Sequence, residues 1–261
     1  MVAVSVPSPC LAPRTIEATG TCDSVWQQCP VLALVQTLPF GDLLRPDQRL
    51  VMVAPHPDDE ILAAGGLLAL HGAQGGPTLV VVVTHGEASH PPQPERSAHQ
   101  LGQLRCTESH EGLLRLGVLT GPQHVQRLNL PDSGVARHTA VLEGALSALL
   151  KPGDVVVTTW RLDGHPDHEA CGSAVARACA LAQCRLLEAP VWMWHWAQPG
   201  DARVPWTRLI AVPLPAAVVS QKQHALAAHA SQLLPAQPHE APILGRTMAA
   251  RVARAAEYFF T

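Results

Sequence analysis

The segment Thr78–Thr84 reads Thr-Leu-Val-Val-Val-Val-Thr, with no polar residue between its ends. A strand with one face in water alternates polar and apolar side chains, whereas a continuous β-branched run is buried on both faces. Leu50–Ala54 and Asp154–Thr159 (DVVVTT) carry the same signature, and Val125–Leu130 reads as a further strand. Helix-length stretches separate them. Ile61–His71 is stopped by Gly72 and the Gly75-Gly76-Pro77 cluster; Gln100–Leu116 and Ala140–Leu150 follow. Pro166–Gln183 places its proline in the first turn, where a missing N–H costs nothing. Two more strands are expected at Leu187–Trp196 and Leu209–Leu214, and a helix over Ala216–Gln232. Buried strands alternating with helices predict an α/β, Rossmann-like, mostly parallel sheet with helices on both faces.

A length of 261 residues fits one large domain or two small ones. Residues 1–48 differ from the rest: they hold three of the seven cysteines and a single short apolar run, Val31–Leu38. They are expected to form an N-terminal extension, and residues 49–261 the main domain. Eighteen basic against 21 acidic residues argue against a nucleic-acid partner. No apolar run approaches the ~18 residues of a transmembrane helix, and the first residues lack the basic and apolar regions of a secretory signal. The cysteines (Cys10, Cys22, Cys29, Cys106, Cys171, Cys179, Cys184) are odd in number and form no C-x-x-C pair. They read as reduced thiols, which sets the expected location as cytoplasmic. The sequence is silent on oligomeric state, and a homo-oligomer stays open.

Parallel sheets bind ligands beyond the carboxyl ends of their strands. Four such ends are rich in ionisable residues. Pro55-His56-Pro57-Asp58-Asp59-Glu60 follows the first buried run, and His85-Gly86-Glu87 the second. Pro131-Asp132-Ser133-Gly134 follows the third, and Asp163-Gly164-His165-Pro166-Asp167-His168 the fourth. His56 and Asp59 are three apart across a strand-to-helix turn, and His165 and His168 repeat that spacing. The set offers nitrogen and carboxylate oxygen and no thiolate. That suits Zn²⁺ with an open position, for which three protein ligands suffice, so one histidine of the second pair is spare for chemistry. Either motif alone reads as a helix cap; two on neighbouring rim loops are harder to explain that way.

The segment Ala54–Gly66, APHPDDEILAAGG, resembles the first motif of the LmbE-like, PIG-L-type zinc deacetylases. These enzymes remove N-acetyl groups from glucosamine-containing substrates. The resemblance continues through Thr84-His85-Gly86-Glu87, Arg105-x-x-Glu108, Leu130-Pro131-Asp132 and Gly164-His165-Pro166-Asp167-His168 to Lys222…His229-x-Ser231-Gln232. It implies a metal-dependent N-deacetylase, a hydrolase of linear amides, with one zinc ion per chain on His56, Asp59 and His168; Fe²⁺ fits the same ligands. It further implies Asp58 as general base and His165 as the group that stabilises the oxyanion or protonates the amine. Arg105, Asp132, Glu87 and His229 fall at substrate-binding positions. The substrate would be a small N-acetylated sugar or conjugate; the alternative is an amidase acting on a larger N-acyl group. Some members carry a tyrosine two residues before the first histidine of the second motif. This chain has Asp163 there, and its one tyrosine is Tyr258. The proton donor therefore falls to His165, oriented by Asp163 or Asp167, with Asp163 itself the next candidate.

A non-haem iron oxygenase shares the ligand set of two histidines and a carboxylate, but it has no use for Asp58. A sugar-binding module needs neither Asp58 nor His165. Trp192, Trp194 and Trp196 alternate and would share one face of the expected strand. Lys222 and His229 lie two helical turns apart on one face, at the surface or against substrate.

Overall fold

The computed structural model describes residues 14, 16, 20–91, 94, 96–237 and 239–261; Cys10 lies outside them, as does part of the expected extension. Helices α1 (Asp23–Gln27) and α2 (Pro30–Ala33), strand β1 (Gln36–Thr37) and helix α3 (Phe40–Leu43) come first. The regular alternation follows: β2 (Leu50–Ala54), α4 (Asp59–Ala73), β3 (Thr78–Thr84), α5 (Ala98–Arg115), β4 (Val125–Leu130) and α6 (Thr139–Leu149). It continues through β5 (Val155–Thr159), α7 (Pro166–Ala182) and β6 (Arg185–Ala189). The remainder is α8 (Met193–Trp196), β7 (Leu209–Pro213), α9 (Ala216–Leu226), α10 (Ala230–Leu233), α11 (Arg246–Arg251) and β8 (Ala256–Phe260).

The strands form one sheet in the order β1-β7-β8-β6-β5-β2-β3-β4. All neighbours are parallel except β8, which runs antiparallel to β6 and β7. The valine runs are explained by the two cores they separate. Leu50, Met52 and Ala54 of β2 pack with Leu67 of α4, Leu113 of α5 and Leu226 of α9. Val51 and Val53 point the other way, into Leu142 and Leu146 of α6 and Val175 of α7. Each fully buried valine adds roughly 1.5–3 kcal/mol of transfer free energy. Helix α5 starts with a capping box: the Ser97 hydroxyl accepts from the Gln100 N–H (3.2 Å), and the Gln100 side chain accepts from the Ser97 N–H (2.9 Å).

A third core gathers Trp26, Trp160, Met193, Trp194 and Phe260. It draws in the described part of residues 20–48: Trp26 Nε1 donates to the Trp194 carbonyl (2.7 Å), and β1 pairs with β7.

Two elements differ from the sequence reading. The strand expected over Leu187–Trp196 ends at Ala189, and Met193–Trp196 forms helix α8 with Trp192 at its N-cap. The cause is Asp163. Its carboxylate accepts from three consecutive backbone N–H groups, those of Val191, Trp192 and Met193, each at 2.9 Å. Successive N–H groups point to opposite sides in a strand and converge only at a helix N-terminus. The tryptophans therefore do not share a face. The helix expected over Ala216–Gln232 breaks after Leu226 and resumes at Ala230. There Glu108 of α5 accepts from both the N–H (2.8 Å) and the hydroxyl (2.6 Å) of Ser231. Strand β8 was not foreseen; it is short and carries Glu257 between its ends.

Strands β5, β2, β3 and β4 are neighbours and parallel. Their carboxyl ends thus open on the same rim.

Candidate active site at the carboxyl rim

The turn from β2 into α4 is held in an uncommon shape. Asp58 has φ +131°, a region L-residues seldom occupy, and such strain concentrates at functional sites. Several partners fix it. Arg105 Nη2 donates to the Pro57 carbonyl (2.7 Å) and to Asp58 Oδ2 (3.1 Å), while Nη1 donates to the Gly86 carbonyl (2.9 Å). Glu60 Oε2 accepts the Asp58 N–H (3.0 Å), and Glu60 Oε1 accepts the Ser109 hydroxyl (2.6 Å). Gly86 is required here: its φ is +67°, and a Cβ would lie 2.0 Å from Arg105 Nη1.

Asp59 is the hub of the two motifs. Its Oδ2 lies 3.2 Å from His56 Nδ1 and 3.2 Å from His168 Nε2. His56 turns Nε2 toward Asp132 Oδ1 and Asp167 Oδ2, both at 3.3 Å. His168 turns Nδ1 toward Asp163 Oδ2 (2.8 Å). Asp163 thus orients His168 rather than His165. Its carboxylate meets the His168 ring on one side and the N–H groups of Val191, Trp192 and Met193 on the other. His165 is oriented by the Asp167 backbone, whose N–H donates to His165 Nδ1 (3.2 Å). The Asp167 side chain instead accepts from Ser133 N–H (2.8 Å) and Val135 N–H (3.1 Å).

Burial opposes charge on all these groups, and the neighbours decide which keep it. At His56, burial pulls the pKa down, but Asp132, Asp167 and Asp59 raise it well above the ordinary value. At His168, burial is again outweighed, by Asp59 and Asp163, and the pKa stands at about 9. At Asp59, burial pushes upward, yet His168 and His56 hold the carboxyl far below the usual range. Asp58 goes the other way: burial, only partly countered by Arg105, pushes it up to about 7. Burial and the neighbouring His168 and His56 push His165 down to about 3.

The donor set fits a divalent cation. His56, His165 and His168 can each offer a ring nitrogen, all within 4.8 Å of one another; His56, Asp132 and Asp167 form a second such group. The expected trio of His56, Asp59 and His168 is joined through Asp59 Oδ2. Four carboxylates (Asp59, Asp132, Asp163, Asp167) lie within 3.3 Å of the ring nitrogens of the two buried histidines, His56 and His168, and this anionic surrounding favours a cation. Nitrogen and oxygen ligands without thiolate suit zinc or ferrous iron.

A cavity of about 420 Å³ opens onto this cluster. His56, Asp58, Asp59, His165 and His168 form its charged floor, and Arg105 and Asp132 also line it. Leu62, Trp192, Pro242, Ile243 and Leu244 add apolar lining. The Trp192 ring lies nearly parallel to His165, 6.4 Å between centroids. Glu87 is not in this wall; its Oε1 accepts the Asp132 N–H (2.9 Å) and so shapes the loop from beneath. His229 is fully buried and does not line the cavity, whereas Gln232, three residues on, does. Lys222 is buried rather than exposed, paired with Glu257. Trp192 is marked in the sequence by its alternation with Trp194 and Trp196, which reads as a sugar-stacking or a packed face, whereas the Pro242–Leu244 segment carries no motif that flags it as lining.

Comparison with known proteins agrees with this geometry. Residues 51–179 match the family described as GlcNAc-PI de-N-acetylase, PIG-L. A 1D-myo-inositol 2-acetamido-2-deoxy-alpha-D-glucopyranoside deacetylase of Rhodococcus jostii is 30% identical over 246 residues, covering 72% of this chain and 82% of the relative. A conserved protein of Thermus thermophilus superposes with a TM-score of 0.58 at 27% identity, over 81% of this chain and 93% of that one. The N,N'-diacetylchitobiose deacetylase of Pyrococcus horikoshii shares the fold, with a TM-score of 0.53 at 20% identity over 85% and 83% of the two chains. The matched stretch contains every strand end that builds the charged floor, and with it the chain belongs to the PIG-L family of de-N-acetylases.

Proposed function

We propose that this chain is a metal-dependent hydrolase that removes the N-acetyl group from an N-acetylglucosamine-type sugar or sugar conjugate. The observation that carries the reading is the convergence of His56, Asp58, Asp59, His165 and His168 on the floor of one cavity. In this reading His56, Asp59 and His168 hold one zinc ion. When bound, zinc supplies a Lewis acid that polarises an amide carbonyl and makes water nucleophilic near neutral pH. Asp58 stands beside a ligand without being one; with its pKa near neutrality it takes the proton of the attacking water and passes it to the leaving amine as the C–N bond breaks. His165 accepts the Asp167 N–H on Nδ1, so Nε2 carries its hydrogen and can donate to the developing oxyanion. Its depressed pKa favours this neutral donor role. Arg105 and Asp132 line the cavity and are read as contacts to the sugar; each must share a present protein partner to do so. The catalytic domain is read as residues 49–261, with the described part of residues 1–48 packed on it. The described cysteines are all free, which supports a reducing, cytoplasmic setting. Among the described residues no helix is long and apolar enough to cross a membrane.

The apolar wall favours one second reading, an amidase for a larger N-acyl group. Amine release from N-acetyl-, N-hexanoyl- and N-decanoylglucosamine conjugates, with metal content measured on the same sample, separates the two. Release from the acetyl substrates by zinc-loaded protein is the expected result. Release from longer acyl chains alone selects the second reading, and no release from any of them with metal bound overturns both.

A further inference from the structure

Helix α4 is not continuous. Ala64 has φ −147° and ψ 21°, which splits the helix into an N-terminal turn carrying Asp59 and Leu62 and a C-terminal body. In an unbroken helix the Gly66 N–H would point at the Leu62 carbonyl and the Leu67 N–H at the Ala63 carbonyl. Here both N–H groups donate to Glu257 of β8: Gly66 to Oε1 (2.7 Å) and Leu67 to Oε2 (2.9 Å). The Leu62 carbonyl accepts from Lys222 Nζ of α9 (3.4 Å), and the same Nζ donates to Glu257 Oε1 (2.5 Å). A buried ion pair is thus spliced into the helix ladder, its carboxylate taking the N–H side and its ammonium the carbonyl side. Lys222 is 4% exposed and Glu257 4% exposed.

The sequence makes room for it. A Cβ on Gly65 would lie 3.1 Å from Lys222 Cγ, and one on Gly66 would lie 3.1 Å from Glu257 Cδ and 2.6 Å from Leu214. A lone buried charge is costly, and removing one member of such a pair leaves the other uncompensated. Both members come from beyond residue 179, outside the stretch matched to the family.

We infer that Lys222 and Glu257 are positioning residues: they fix the break in α4 and thereby aim its first turn, so that Asp59 reaches both His56 and His168. The pair touches neither the cavity floor nor either histidine. It acts by holding the angle between the N-terminal turn and the body of α4. This rests on the reading of Asp59 as a metal ligand.

The test uses the full chain, metal-free and then titrated with Zn²⁺ against a chelator, in wild type, Glu257→Gln, Lys222→Met and Lys222→Arg. Glu257→Gln keeps the shape but sets an amide NH₂ against one of the two N–H groups. The expected result is a Zn²⁺ dissociation constant weakened about tenfold or more, with kcat falling and KM nearly unchanged. Amide hydrogen exchange should quicken in residues 59–67 and stay slow in β2 and β3. Lys222→Met leaves both acceptors of Glu257 in place, so it covers the case in which Glu257→Gln does not fold; Lys222→Arg should recover most of the loss. Folded Glu257→Gln or Lys222→Met with wild-type zinc affinity and wild-type exchange in residues 59–67 would overturn the inference. Wild type that binds no Zn²⁺ would instead remove the ligand reading of Asp59, and unchanged exchange in the variants would then still count against the positioning role.

Discussion

The sheet has two halves that differ in kind. The β5-β2-β3-β4 half is wholly parallel, its central strands are buried runs, and each strand end delivers a charged loop to the rim. The β1-β7-β8-β6 half includes the antiparallel β8 and is flanked by a tryptophan-rich core. Among the described residues, none of the groups that could hold a cation at the rim comes from it. The chain after β6 supplies Trp192, the Pro242–Leu244 wall, Gln232 and the Lys222–Glu257 pair, with Lys222 and Gln232 carried on helices that pack against α4 and α5. In the proposed function the first half holds the reacting groups, and the segments that follow β6 shape what reaches them and how firmly they are held. The difference teaches that substitutions in the two halves should fail differently: in rate or metal on the first, in KM or positioning on the second.

The sharpest break between the halves is expected at Asp58. Asp58→Asn cannot accept a proton, and the rate should fall by roughly 10²–10⁴-fold, the usual worth of a general base, with the metal retained. Asp59→Asn should instead weaken the metal. Metal content and rate measured on both variants decide the matter: loss of the ion from Asp58→Asn with retention in Asp59→Asn would exchange the two roles.

The next effect belongs to the charged half alone. Without metal, His56 and His168 have raised pKa values and carry protons at pH 7. A histidine that binds metal must give up its extra proton, so Zn²⁺ binding should release about two protons at pH 7 and tighten with rising pH by up to about 100-fold per unit below the histidine pKa values. Calorimetry in two buffers of different ionisation enthalpy reads the proton count, and a count of zero would remove the histidines as ligands. The sign for stability is opposite. A folded-state pKa above the unfolded one gives stability that is full below about 6.5 and lost as pH rises through the folded value. For His168 that value is about 9, so the Tm of metal-free protein should decline from pH 6.5 to 9.

Asp163 is where the halves meet, since it accepts from His168 on one side and from residues 191–193 on the other. Replacing a carboxylate behind a metal-bound histidine commonly costs 10–100-fold in affinity. Asp163→Asn should show that loss together with a rise in KM, because it also loosens the turn that presents Trp192. A metal effect without a KM effect would mean that the two sides are uncoupled.

The charged half was legible because its information is local. Each buried run names its own strand, and the residues that follow name the rim; Thr78–Thr84 and Val125–Leu130 coincide with β3 and β4. The wall was not legible because its causes are distant in sequence. Trp192–Trp196 alternates like a strand and turns helical only because Asp163, some 30 residues earlier, gathers its N–H groups. His229 and Gln232 lie three apart, yet only Gln232 reaches the cavity, because Glu108 pulls Ser231 into a separate turn. The break in α4 had one local trace, Gly65-Gly66, and its partners Lys222 and Glu257 are visible only in three dimensions.

The smallest effect should arise at Trp192, in the apolar lining. Its half-buried ring lies parallel to His165 and borders the cavity beside Leu62 and Ile243. Its own N–H is held by Asp163, so the ring is presented on a fixed backbone. An aromatic contact of this kind contributes about 0.5–1.5 kcal/mol beyond its area, so Trp192→Ala should raise KM by roughly three- to tenfold. It removes no proton acceptor and no ligand, so kcat with saturating substrate and zinc affinity should stay within about twofold. Steady-state kinetics on one glucosamine conjugate with a methyl and with an octyl substituent sharpen the point. The KM penalty should be larger for the octyl compound if the apolar wall carries the contact, and equal for the two if Trp192 meets only the sugar. A fall in kcat with KM unchanged would move Trp192 across the divide, into the half that holds the reacting groups.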